Sequence, residues 1–120
     1  MSRSVLRSRW QFQRVYERGK KINCRHAVVF YLQGETGETP SGPLFGVVAS
    51  KRVGGAVHRN RAKRLLRHAV QATAGRLTRR DLWVVLVAKK SILDCTSREV
   101  ARDLEQGMLG EGMIRGQAPE

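Results

Sequence analysis

The residues best placed to do chemistry lie between positions 51 and 80, where ten Lys or Arg occur and not one Asp or Glu. At the centre stands Val-His-Arg-Asn-Arg-Ala-Lys-Arg-Leu-Leu-Arg, residues 57–67. So dense a run of cations repels itself and is stabilised by a polyanion, which points to nucleic acid. Two histidines, His58 and His68, raise the alternative of acid–base cleavage of a phosphodiester. Ten residues of helix would separate them by about 15 Å, too far for a close acid–base pair. No acidic residue lies between Glu38 and Asp81, so no carboxylate cluster offers a two-metal site. Neither GxxxxGK[ST] nor GxGxxG occurs, which excludes the common nucleotide-binding loops. The chemistry expected is binding, with no catalytic residue and no metal ligand from this chain.

Binding by a rigid surface requires an element that holds the cations in place. At 3.6 residues per turn, Ala62, Leu65, Leu66, Ala69, Val70 and Thr73 fall on one helical face. Asn60, Arg64, Arg67 and Gln71 fall opposite, with Arg61 and Lys63 on the flanks. A disordered basic tail would have no reason to keep apolar residues in register, so the segment reads as a packed helix with a cationic outer face. Arg59 needs its first-turn position to escape the apolar side. Lys51 and Arg52 enter the helix through a turn whose Gly54 and Gly55 leave backbone amides unshielded, and helix N-termini attract anions.

The other elements follow from pattern. A helix is predicted over residues 8–18, where Phe12, Val15 and Tyr16 share a face and Gly19 suits a left-handed C-terminus. Residues 27–32 and 44–50 read as strands, paired as a hairpin across a Gly- and Pro-bearing connection. Residues 82–89 are almost wholly apolar and suit a central strand buried on both faces. Thr96-Ser97-Arg98-Glu99 has the form of a capping box, and Val100, Ala101, Leu104 and Met108 make the stripe of a last helix. The order helix, strand, strand, basic helix, strand, helix predicts an α/β (α+β) two-layer sandwich, a small sheet packed by helices. One domain over residues 1–109 and a flexible tail over 110–120 are expected.

The chain has 120 residues, net charge +13 and 41% hydrophobic residues, enough for one modest core. Residues 1–80 hold 18 basic and 3 acidic residues, whereas residues 81–120 hold 5 and 7. The cationic surface therefore belongs to the first two thirds of the chain. Cys24 and Cys95 form no CxxC or zinc-type spacing, which suits reduced thiols in the cytoplasm. No signal-peptide-like start or membrane-length apolar run occurs, so neither membrane nor small-molecule partners are expected.

Three signatures together resemble the protein component of bacterial ribonuclease P. They are Phe12-Gln-Arg-Val15-Tyr16-Glu-Arg-Gly19, then Phe45-Gly-Val-Val-Ala-Ser50-Lys51-Arg52-Val-Gly54-Gly55-Ala56-Val57, and then Arg59-Asn60-Arg61-Ala-Lys63-Arg64-Leu-Leu-Arg67. The resemblance runs from about residue 6 to residue 108. It implies a fold like the second domain of ribosomal protein S5, with a left-handed βαβ crossover. It also implies a subunit that binds a catalytic RNA and the 5′ leader of precursor tRNA, with Mg2+ held mainly by RNA and substrate phosphates. By the same resemblance Lys51, Arg52, Arg59, Asn60, Arg61, Lys63, Arg64 and Arg67 would bind RNA, while Phe12, Tyr16 and Phe30 would line the leader cleft. From spacing alone Phe12 and Phe30 read as core and Tyr16 as either core or a wet site. Tyr31 beside Phe30 leaves open which ring faces the cleft. The residues also fit a basic ribosomal or other structural RNA-binding protein without a processing role.

Overall fold

The computed structural model describes residues 5–6, 8–33, 43–77 and 81–115. Its elements are α1 (Arg9–Arg18), β1 (Lys20–Asn23), β2 (Ala27–Gln33), β3 (Leu44–Val48), α2 (Ala56–Thr73), β4 (Leu82–Ala88) and α3 (Ser97–Gly110). Short 3-10 turns at Ala74–Arg76 and Lys90–Asp94 follow α2 and β4.

β4 is the most apolar segment and six of its seven residues are buried. A strand buried on both faces must lie inside a sheet, and β4 does: the order is β1-β2-β4-β3. This corrects the expected hairpin. β2 runs antiparallel to β1 and to β4, whereas β3 runs parallel to β4 and never touches β2. Both strands take the same central neighbour because it offers each an apolar edge partner. The missed strand β1 carries a single buried residue, Ile22, too little for a hydrophobic pattern to show.

The alternation of side chains divides the sheet into two faces. Val29, Phe45, Leu82, Val84 and Leu86 pack with Leu65, Leu66, Ala69 and Val70 of α2 and Val100, Leu104 and Met108 of α3. On the opposite face Trp83 and Val85 pack with Leu6 and with Val15 of α1. An α+β fold results, with α2 and α3 on one side of the sheet and α1 alone on the other.

Local signals account for several boundaries. α3 begins at the expected capping box: Thr96 Oγ1 accepts from Glu99 N at 3.2 Å, and Thr96 N donates to Glu99 Oε1 at 2.8 Å. At α1 the Ser8 N–H donates to Gln11 Oε1 at 3.2 Å. Gly19 is not left-handed, having φ −79° and ψ 171°. Glycine is needed there for close approach, since a Cβ would lie 2.5 Å from the Val15 carbonyl oxygen and 2.6 Å from that of Tyr31.

Residues 110–115 are not the expected flexible tail. Met113 and Ile114 are buried, Ile114 bridges Leu77, and the Arg115 N–H donates to the Arg76 carbonyl at 2.7 Å. The Arg76 side chain returns the contact to the Arg115 carbonyl at 2.9 Å and pairs with Glu105. The rest of the expected tail, residues 116–120, lies outside the described residues.

Candidate nucleic-acid interface

The basic helix has the predicted phase. The buried residues of α2 are Ala62, Leu65, Leu66, Ala69, Val70 and Thr73, and the Thr73 hydroxyl donates to the Ala69 carbonyl at 3.1 Å. Asn60, Arg61, Arg64 and Arg67 are exposed, and Arg59 and Lys63 are half-buried. Within that set the cations do not all point one way. Arg61 Nη2 lies 3.5 Å from the Cys95 carbonyl, towards α3. Arg67 lies on the other flank and lines an apolar recess with Leu6, Phe12, Phe45 and Val70. Arg59 Nε is buried and has no acceptor among the described residues.

The turn into α2 is built by two successive hydrogen bonds, Val53 N to Ser50 O at 3.0 Å and Gly54 N to Lys51 O at 3.2 Å. Val53 is buried and anchors the turn, which leaves Lys51 and Arg52 exposed on it. Gly54 has φ +143°, and a Cβ there would also stand 2.9 Å from the His58 ring, so only glycine fits. His58 is thereby a packing partner of the turn. Gly55 is the N-cap and offers no side-chain acceptor to the first-turn amides. With no acidic residue in that turn, the positive end of the helix dipole adds to the cations.

On the α1 side the register lays side chains in rows across the sheet. One row is Leu32–Trp83–Leu44, the next Lys21–Phe30–Val85–Gly46, and the last Asn23–Val28–Val87–Val48. α1 covers the first two. Trp10 meets Trp83 edge-on with ring centroids 5.7 Å apart, and Tyr16 meets Phe30 edge-on at 4.9 Å. Phe12 sits on Gly46, where a Cβ would come within 2.6 Å of its ring. The third row is left half-covered, and Val28 and Val87 floor a recess of about 430 Å³ rimmed by Ser50, Arg52, Lys89 and Lys90. This is a recess with an apolar floor and a cationic rim, and the Tyr16–Phe30 pair stands at the neighbouring row.

Of the aromatic residues singled out, the structure brings Tyr16 and Phe30 together. Phe12 stands at the other end of Phe30's row, two strands away at about 10 Å by strand spacing, and turns towards the recess beside α2. Phe30 rather than Tyr31 faces α1. Tyr31 packs on the α2/α3 side and donates its hydroxyl to Glu111 at 3.0 Å. Burial raises the Tyr16 pKa above its usual value, so its hydroxyl stays neutral at physiological pH and repels no phosphate. Lys21 lies over the Phe30 ring, 6.0 Å from its centroid. The groove-lining residues that sequence reasoning missed are Val28, Val87, Lys89 and Lys90. The two-residue alternation that puts Val28 with Phe30 and Val87 with Val85 carried the signal for the floor.

The carboxylates of α3 and of the residue after it lie elsewhere. Asp103 accepts from the Arg25 and His26 backbone N–H groups at 3.0 and 2.8 Å, closing the β1–β2 turn. Glu105 pairs with Arg76 and Glu111 with Tyr31. These carboxylates have structural partners on the α3 side, and none of them belongs to α2 or the groove.

Comparison with known proteins places the chain in a family and matches its fold. The family model described as Ribonuclease P matches residues 1–110. The ribonuclease P protein component of Symbiobacterium thermophilum is 36% identical over 110 residues, covering 92% of each chain. That of Streptomyces griseus is 38% identical over 115 residues, covering 89% of this chain and 93% of the relative. In fold, the chain is similar to the RNase P protein of Staphylococcus aureus, with a TM-score of 0.79 and 21% identity over 95% of this chain and all of that one. The Thermotoga maritima RNase P protein gives a TM-score of 0.74 and 22% identity with the same coverage. A family model spanning nearly the whole chain, relatives above one-third identity and a shared fold agree, and the chain belongs to the ribonuclease P protein family.

Proposed function

We propose that this chain is the protein subunit of a ribonucleoprotein ribonuclease P, acting in the bacterial cytoplasm, in which a catalytic RNA cuts the 5′ leader from precursor tRNA. The outer face of α2 and the turn before it, through Lys51, Arg52, Arg59, Asn60, Arg61, Lys63, Arg64 and Arg67, would grip the phosphates of the catalytic RNA. The groove beside α1 would hold the single-stranded leader, with Tyr16 and Phe30 stacking unpaired bases, the valine row under them and the lysines along the rim. Phe12, seated on Gly46 at the other end of Phe30's row, lines the separate recess beside α2. The observation that carries the reading is the presence on one small domain of a rigid cationic helix and, next to the Tyr16–Phe30 pair, an apolar recess with a cationic rim.

Magnesium would be held mainly by the RNA and substrate phosphates, and would supply there an activated water for phosphodiester hydrolysis. Among the described residues no group of three or more His, Cys, Asp or Glu side chains could hold a metal ion. Likewise no described helix is long and apolar enough to cross a membrane. Family membership favours this reading over a ribosomal RNA-binding protein of similar charge.

Reconstitution tests it. The purified protein alone is expected to cleave nothing, and to restore cleavage of precursor tRNA by its cognate RNA at moderate magnesium. Robust protein-only cleavage, or no effect on the cognate RNA, would overturn the assignment. If about five to seven phosphates are neutralised, the affinity for RNA should fall with a log–log salt slope of roughly −4 to −6.

A further inference from the structure

We propose that Asp103 of α3 sets the position of the Lys89 ammonium at the leader groove, acting through the peptide group that joins Cys24 to Arg25. This rests on the groove reading above and names a positioning residue outside the groove. Each side chain holds one end of the same peptide unit. The Arg25 N–H donates to Asp103 Oδ1 at 3.0 Å, and the Lys89 ammonium donates to the Cys24 carbonyl at 2.6 Å.

A trans peptide is planar, with its N–H and C=O pointing opposite ways, and the described residues contain no cis peptide bond. Fixing the Arg25 N–H on Asp103 therefore turns the Cys24 carbonyl away from that carboxylate, to where Lys89 takes it. The second carboxylate oxygen accepts from the His26 N–H at 2.8 Å, and the His26 carbonyl accepts from the Lys89 backbone N–H at 3.0 Å. Backbone and side chain of Lys89 are thus both fixed on a turn that Asp103 holds. Opposite charges at the two ends of one amide polarise it in the same direction, so each hydrogen bond strengthens the other.

The arrangement supplies order to the groove. Lys89 lines it beside Val28, Val87 and Lys90, and its ammonium also donates to Asn23 Oδ1 at 2.6 Å. An ammonium has three donors, so these two acceptors leave one for a phosphate oxygen. A lysine stem that is already fixed loses less rotamer freedom when the phosphate arrives. The neighbouring carboxylates of α3 have no such link: Glu99 closes its own helix cap, and Glu105 pairs with Arg76.

Charge counting predicts the opposite sign from positioning. Removing Asp103 leaves the protein more positive, which by itself tightens RNA binding. If Asp103 places Lys89, the same change weakens the contact with the leader.

The test uses the reconstituted holoenzyme and compares affinity for leader-bearing precursor tRNA with that for mature tRNA; the ratio is the leader advantage. Lys89→Ala should lower it by about three- to tenfold, the range of one hydrogen bond. Asp103→Ala should lower it by about two- to fivefold, and should lower it no further in a chain that already carries Lys89→Ala. Asp103→Asn, which keeps one oxygen for the two turn amides, is the milder variant and should show the same dependence on Lys89 at smaller size. Urea unfolding of each variant reads stability separately.

A shifted unfolding midpoint with the leader advantage intact would make Asp103 a stabilising contact only and overturn the proposal. A loss that persists undiminished without Lys89 overturns it as well, as does a leader advantage that Lys89→Ala leaves untouched. In each of these cases a wild type that favours leader-bearing substrate, and loses that preference with Tyr16→Ala, keeps the groove reading. Absence of any leader advantage in the wild type would end both.

Discussion

The two faces of the sheet are built for opposite ends. On the α2/α3 face, Val84 and Leu86 of β4 and Val29 of β2 are fully buried beneath two helices. On the α1 face a single ten-residue helix covers two rows of side chains and leaves Val28, Val48 and Val87 half-exposed. Burial stabilises in proportion to area removed from water, so the first face supplies most of the fold's stability. The second leaves part of its apolar surface in contact with water. One strand serves both, because successive β4 residues point to opposite sides.

Adjacent residues of β4 can therefore break the comparison directly. Leu86→Ala, on the covered face, should cost about 2–5 kcal/mol in urea unfolding. Val87→Ala, on the open face, should cost under about 1 kcal/mol and yet weaken binding of leader-bearing substrate. Equal stability losses would mean that the groove floor is ordinary core. Next in size, Tyr16→Ala should weaken leader-bearing substrate by about 1–3 kcal/mol while mature tRNA binding changes little. A filter-binding comparison decides this, and equal effects on both RNAs would return Tyr16 to a packing role.

The sequence exposed one surface more fully than the other, for a physical reason. α2 was legible to the residue because its signal is local: six apolar positions at helical spacing, the absence of acids and the glycines at its start. The capping box of α3 and the double burial of β4 were legible in the same way. The groove depends on pairing between distant segments. Nothing near Ala27 or Leu44 indicates that each pairs with β4 and not with the other, and Lys-Lys-Ile-Asn gives β1 one apolar residue from which to be recognised. The Lys89–Asn23 contact joins positions 66 apart in sequence. Gly19 showed that a glycine was required but not that the cause was two carbonyls rather than a left-handed turn. Met113 and Ile114 read as tail because their burial depends on Leu77 and the end of α2.

The helix starts extend the contrast between the faces to pH. α3, on the covered face, closes its capping box with the Glu99 carboxylate, whereas α1 uses the neutral amide of Gln11. The Thr96 backbone N–H, then its hydroxyl, lowers the Glu99 pKa, and the charge of His26 adds to this. A carboxylate whose pKa is lowered by folding contributes stability above its unfolded pKa and loses it as pH falls through the folded one. Acid should therefore loosen the first turn of α3 below the usual Glu range and leave the first turn of α1 unchanged. Hydrogen exchange at the backbone amides of Thr96 and Ser8 reads the two caps separately. Glu99→Gln should abolish the acid response at Thr96, since it keeps an acceptor and removes the titration. Acid-dependent exchange persisting at Thr96 in that variant would assign the response to another group. The expected change is small, because Glu99 is exposed and solvent screens its charge. Its value lies in direction: the stabilising face should yield to acid at a cap where the groove-forming helix does not.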